Sequence, residues 1–235
     1  MVMGGIPFYW SLLRKDLSLP QNIDSIFFSE DGELRDEFDA LYRSLFKKPE
    51  AYLSVINALG KKRIGMTRDE ISTEANLTQG GMLTTILKDL EHCGFIRKYN
   101  QIGKLSKGAM YQLVDFYTLF YLKFILENKR HDPNFWSKSA GTSLYNNWCG
   151  LAFERVCFAH ILQIKHALSI GGVVSNEYSW FVRKTNDRPG AQIDLLLDRG
   201  DQTINICEIK YTSSSEYMLN EEEETKILSR RERFI

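Results

Sequence analysis

The 235-residue chain has no apolar run near the ~20 residues that a membrane span needs. Its start, Met1-Val2-Met3-Gly4-Gly5-Ile6, has neither the basic residues nor the long apolar stretch of a signal peptide. Charge of one sign is also missing: Lys+Arg and Asp+Glu both number 30. A nucleic-acid partner would therefore have to be met by a local basic surface rather than by the field of the whole chain. Cysteine is scarce. Cys93, Cys149, Cys157 and Cys207 are scattered in apolar contexts and form no C-x-x-C pair, the usage of reduced core thiols in a cytosolic protein. The expected location is thus cytoplasmic, with no membrane partner. The four histidines, His92, His131, His160 and His166, have no ligand spacing. There is no internal repeat, and no G-x-x-x-x-G-K-[ST] loop, so this chain alone is not expected to hydrolyse ATP. What is present is an ordinary globular composition, 43% hydrophobic and 26% charged, enough for one large or two small domains.

Four stretches separate along the chain. Residues 1–49 read as helices without a core of their own. Phe8–Leu17 is expected to be a short helix closed by Ser18-Leu19-Pro20, and Leu34–Phe46 an amphipathic one with Leu34, Phe38, Leu41, Tyr42 and Leu45 on one stripe. Residues 50–113 have a sharper pattern. A helix over Tyr52–Leu59 ends at Gly60, and Thr67-Arg68-Asp69-Glu70 is a capping box opening a second. Gly80–Cys93 is a third, with Leu83, Ile86, Leu87 and Leu90 at core spacing and Gly94 stopping it. Two short strands follow, Phe95–Tyr99 and Ala109–Leu113. Helix, helix–turn–helix, then hairpin is the order of a winged helix. Residues 114–142 carry aromatics at helical spacing, Phe116, Tyr117, Phe120, Tyr121 and Phe124, and read as a buried bridging helix and linker. Residues 143–235 read as a helix over Leu144–Ala167, then strands over Glu177–Arg183, Gln192–Leu197 and Thr203–Tyr211. A charged helix follows, signalled by Ser213-Ser214-Ser215. The fold class is therefore α/β in several domains.

The residues that carry chemistry lie in the last stretch. Asp194 sits inside one apolar, β-rich run, and Glu208 with Lys210 inside the next. Strand side chains alternate faces, so Glu208 and Lys210 are expected to point the same way. Charges embedded in such runs are paired or hold a metal. Two readings follow: a structural ion pair between neighbouring strands, or the parts of a metal-dependent phosphodiesterase. In the second, Asp194 and Glu208 would supply hard oxygen ligands to Mg²⁺, and Lys210 would orient water or neutralise developing charge. Glu154, on the preceding helix, would add a further carboxylate to the metal site.

A helix Glu, a strand Asp and a Glu-x-Lys in this order resemble the PD-(D/E)xK nuclease superfamily at Glu154, Asp194, Glu208 and Lys210. Gln192-Ile193 stands where the motif name has proline. The resemblance implies a restriction-endonuclease-like α/β domain over residues 143–235 that stops before the core's last strand. The whole chain is similar to the C-terminal portion of a family of prokaryotic AAA-type P-loop ATPases. The likeness is carried by Gly4-Gly5-Ile6-Pro7-Phe8-Tyr9, Asn22-Ile23-Asp24-Ser25-Ile26-Phe27-Phe28, Leu45-Phe46-Lys47, Gly94-Phe95-Ile96, Tyr111-Gln112-Leu113-Val114-Asp115, Phe153-Glu154, Gln192-Ile193-Asp194 and Cys207-Glu208-Ile209-Lys210. In that family the ATPase domain is followed by a winged helix and a nuclease-like domain of unknown function, DUF234. This implies a lid remnant over residues 1–49, an N-terminal ATPase domain as partner, and ATP as a ligand of the full-length parent only.

DNA is the expected partner of the winged helix. Gln79, Thr84 and Lys88 lie on its third helix, Lys61, Lys62 and Arg63 precede that helix, and Lys104 and Lys107 lie in its wing. Such residues contact phosphates more readily than they read bases, and a protein-docking role for the same element stays open. Lys47-Lys48 and Arg230-Arg231 read as solvated surface charges.

Overall fold

A computed structural model describes residues 1–103, 108–128, 131–214 and 216–235. The chain forms two compact units, one of Met1–Lys98 with Tyr111–Trp148, the other of Tyr99–Met110 with Cys149–Ile235. Both helices and sheet are present, so the protein is mixed α/β. None of the described helices is long and apolar enough to cross a membrane.

In the first unit, α1 (Pro7–Ser11) starts with proline in its first turn, where a missing N–H costs nothing. The expected helix to Leu17 stops short, because Ser18 opens α2 (Leu19–Ile23) through a capping box with Gln21. A π turn over Asp24–Phe28 follows, then α3 (Glu37–Leu45) and α4 (Pro49–Gly60). Strand β1 (Met66–Thr67) leads into α5 (Arg68–Glu74), and α6 (Gly81–His92) into β2 (Ile96–Tyr99) and β3 (Met110–Leu113). The three strands form one sheet in the order β1-β3-β2. The predicted capping box is present: Thr67 Oγ1 accepts the Glu70 N–H at 3.2 Å and Glu70 Oε2 accepts the Thr67 N–H at 2.9 Å. Gly94, at φ +77°, closes α6 as predicted. The Phe95 N–H reaches Leu90 O at 2.9 Å and the Gly94 N–H reaches Glu91 O at 3.1 Å, the paired bonds of a left-handed helix cap.

The aromatic stretch forms α7 (Phe116–Phe120), a π turn over Tyr121–Ile125, and α8 (Phe135–Ser139). Its rings build the core with residues of the first stretch. Phe120 lies 5.0 Å from Phe27, 5.0 Å from Trp136 and 5.2 Å from Trp148, ring centre to ring centre. Tyr9, Phe27, Tyr42, Tyr117 and Phe120 are all buried. Residues 1–49, expected to be helices without a core of their own, share one with residues 116–148. Buried Asp24 accepts the Trp136 and Ser137 N–H groups at 2.7 and 3.0 Å, so it caps α8 from more than a hundred residues away.

The predicted Leu144–Ala167 helix is two helices, α9 (Ser143–Ala159), whose residues from Cys149 on belong to the second unit, and α10 (Ile161–Ala167), meeting at His160. They precede a sheet of β4 (Ser175–Val182), β5 (Ala191–Arg199) and β6 (Ile204–Cys207), in that order and antiparallel throughout. Leu195 and Leu197 pack with Phe158, Ile161 and Ile170 on one side of it. The third strand is shorter than predicted, because its ladder ends at Cys207, paired with Leu195. The final helix, α11 (Glu221–Phe234), begins at Asn220, whose Oδ1 accepts the Glu223 N–H at 2.9 Å. Ser215, of the predicted helix-start signal, lies outside the described residues.

Candidate functional site

The site is built where the pairing of β5 with β6 ends, partway along β5. One further step of their register would set Asp194 opposite Glu208. Instead the ladder stops, and the Asp194 side chain takes over: its Oδ2 accepts the Ile209 N–H at 3.0 Å, while Oδ1 accepts Gln192 Nε2 at 3.1 Å. Ser179 Oγ donates to the Asp194 carbonyl at 3.0 Å and so ties β4 to the same point. The expected alternation continues past the ladder. Cys207 and Ile209 pack with Leu195 and Leu197, while Lys210 Nζ lies 3.2 Å from Glu208 Oε1.

Glu208 has a second cationic partner. Arg230 Nη1, from α11, lies 2.5 Å from Glu208 Oε2. The Glu208 side chain is 14% exposed, against 41% for Lys210 and 31% for Arg230, so one shielded carboxylate stands between two half-exposed cations. Glu154 is buried in α9, and its Oε1 accepts Arg155 Nη1 at 2.8 Å inside the protein. Burying one charge without its partner would be costly, so the two enter together. Cys157, one turn on from Glu154, shows what is near. Burial pushes its thiol pKa up, and the Glu154 and Asp194 carboxylates push it further. Both acids therefore lie within electrostatic reach of one thiol. Burial likewise raises Cys207, so neither thiol is activated as a nucleophile.

Asp194, Glu208 and Lys210 are thus brought to the end of the β5–β6 ladder, while Glu154 and Asp194 both act on Cys157. Their chemistry suits Mg²⁺, which takes carboxylate oxygens. Their arrangement does not: among the described residues no group of three or more His, Cys, Asp or Glu side chains is disposed to hold a metal ion. Glu208 faces two cations and Glu154 faces Arg155. Arg155 and Arg230 are the residues that sequence reasoning missed. Arg155 is adjacent to Glu154 and could have been noticed as a charge on a helix read as apolar. Arg230, in a doublet of arginines on a charged helix, carries no signal.

The residues expected to meet nucleic acid have different surroundings. Lys61 Nζ lies 2.5 Å from Glu74 Oε1 and Lys62 Nζ 3.0 Å from Glu70 Oε1, so both are countered by acids of α5. Arg63 is exposed, and its charge, after burial, helps to depress the pKa of Lys123. On α6, Gln79 just before it and Lys88 are exposed, whereas half-buried Thr84 turns its hydroxyl back to Gly80 O at 3.4 Å. Lys104 and Lys107 lie outside the described residues. Beside α6 is a cavity of about 500 Å³ whose lining includes Phe46, Tyr52, Met82, Ile86, Lys47 and Lys48. Met82 is 53% exposed there.

Comparison with known proteins returns no family model, no curated relative and no solved structure that matches the chain.

Proposed function

We propose that the chain is the DNA-acting C-terminal region of a P-loop ATPase, with a winged helix followed by a PD-(D/E)xK-like domain whose site is directed at phosphodiesters. One observation carries the reading: Asp194, within β5, and Glu208, just past the end of β6, stand one step beyond the last β5–β6 pair, and Lys210 lies 3.2 Å from Glu208. The order α4, α5, α6, β2, β3 supports the winged-helix part. In this reading Lys210 sets a cation where charge on a phosphate oxygen develops. No step is assigned to a metal, because the carboxylates are engaged by protein donors. Supercoiled DNA with Mg²⁺ or Mn²⁺ tests it, comparing the chain with Asp194→Asn and Lys210→Ala. Cleavage by the parent that both variants lose supports the reading. Equal cleavage in all three, or none in any, removes it.

A second reading is favoured by the buried Glu154–Arg155 pair and by the acids that counter Lys61 and Lys62. Here the domain is a catalytically inactive regulatory module, and the winged helix docks on the ATPase domain of the full-length protein. It predicts neither metal uptake at Asp194 nor salt-dependent DNA affinity.

A further inference from the structure

The charges of the whole chain balance to zero, so a polyanion can be met only where like charges gather. In the second unit they gather in two segments that are distant in sequence. Residues 183–190, the connection from β4 to β5, carry Arg183, Lys184 and Arg188, and residues 230–235, the end of α11, carry Arg230, Arg231 and Arg233. Against these six cations the two segments hold two acids, Asp187 and Glu232.

The fold joins the two segments. Arg233 Nη2 donates to Pro189 O at 2.9 Å, and Phe234 meets Trp180 of β4 edge-on at 5.7 Å between ring centres. The connection itself is closed, with Val182 paired to Ala191 and the Thr185 N–H on Arg188 O at 2.9 Å. Arg230 Nη1 lies 2.5 Å from Glu208 Oε2, so the same end of α11 reaches the Asp194–Glu208–Lys210 site.

Two of the cations have structural work: Arg230 faces Glu208 and Arg233 anchors α11. Lys184, Arg188 and Arg231 are exposed and make no ion pair among the described residues, and neither do Asp187 and Glu232. Glu221, Glu222, Glu223 and Glu224 fill the first turn of α11. From Glu222 to Arg231 the helix axis rises ~13 Å, more than the Debye length of ~8 Å at physiological ionic strength. The acidic end therefore does not cancel the basic one. Five of the six cations are arginines, whose planar forks match phosphate oxygens two at a time. Exposed Thr185 and Asn186 lie between them, of the types that donate to phosphates. Residues 183–190 carry no large apolar side chain of the kind that seats a surface in a membrane.

We propose that this face, the β4–β5 connection with the last turn of α11, binds the sugar-phosphate backbone of duplex DNA and holds it against the Asp194–Glu208–Lys210 site. The proposal rests on the phosphodiester-directed reading of that site. It gives the second unit a backbone contact of its own, made by cations that no acid counters, unlike Lys61 and Lys62.

Anisotropy of a labelled duplex, read on the full chain in EDTA at several salt concentrations, tests it with neither metal nor cleavage involved. Three proteins are compared: the parent, a neutralised triple (Lys184→Ala, Arg188→Ala, Arg231→Ala) and a charge-retaining triple (Lys184→Arg, Arg188→Lys, Arg231→Lys). The neutralised triple should bind at least ~10-fold more weakly at low salt, by the same factor for unrelated duplexes, and its slope of log affinity against log salt should be shallower by about 2–3, the counterions of three phosphates. The charge-retaining triple should match the parent. Salt-dependent binding of equal strength and slope in the parent and the neutralised triple overturns this face and leaves the phosphodiester-directed reading standing. A charge-retaining triple as weak as the neutralised one overturns the backbone contact. Binding to phosphatidylserine vesicles in place of the duplex assigns the face to a membrane and overturns the proposal. No duplex binding by the parent removes the reading and the proposal together.

Discussion

The carboxylate of Asp194 accepts the backbone N–H of Ile209 at 3.0 Å, at the point where strand pairing gives out. One side chain therefore holds the chain in place and points chemistry at the same spot. The two roles separate by substitution. Asp194→Ala leaves the Ile209 N–H without its acceptor and should cost about 1–3 kcal/mol in urea unfolding. Asp194→Asn keeps a carbonyl acceptor and should cost less than half as much, while removing the charge on which the proposed phosphodiester-directed site relies. Equal destabilisation by both would show that the hydrogen bond is not what holds this strand end.

Phe120 is the hub of the first unit's aromatic core, with Phe27, Phe124, Trp136 and Trp148 all within 5.2 Å between ring centres. Phe120→Ala should cost about 3–5 kcal/mol, the usual effect of emptying a large buried ring site. Thr67→Ala, which removes the capping-box acceptor of α5, should cost about 1 kcal/mol. Chemical denaturation followed by tryptophan fluorescence measures both.

Asp115 gives the first unit a pH dependence of definite sign. It caps α7 by accepting the Thr118 N–H at 2.7 Å, yet burial pushes its carboxyl pKa above the ordinary 3.8, outweighing that hydrogen bond. A carboxyl raised on folding is neutral in both states below its ordinary value, and the burial then costs nothing. Its stabilising share is lost as pH rises through the raised folded value, where the native state must ionise a shielded group. Asp115→Asn keeps the cap acceptor and cannot ionise. It should be more stable than the parent at pH 7, with the difference closing below pH 4. A parent that gains on the variant as pH rises would reverse this assignment.

The DNA contact proposed for α6 should draw on Lys88, which is exposed. Lys88→Glu should weaken binding by a similar factor for every duplex sequence tested and flatten the salt dependence, the mark of a lost phosphate contact. Lys61→Ala and Lys62→Ala should change it less, since Glu74 and Glu70 already counter those charges. Fluorescence anisotropy at several salt concentrations distinguishes these outcomes.

Features set by neighbours in the chain were legible in the amino-acid order. The Thr67–Glu70 box, the Gly94 stop, the core stripe of α6 and the shared direction of Glu208 and Lys210 all follow from contacts within a few residues, where backbone geometry leaves little choice. Asp194, Glu208 and Lys210 stood out for the same reason: charges inside apolar β runs are visible without knowing the fold. What fills the space around those charges was decided only in three dimensions. The end of β6 at Cys207, the capping of α8 by Asp24, the pairing of Glu154 with Arg155 and the seating of Arg230 on Glu208 depend on how distant segments approach. A carboxylate reads the same in sequence whether a cation, an arginine or water will face it. Its partner is selected by the electrostatic cost of burial, and that cost exists only once the chain has closed around it.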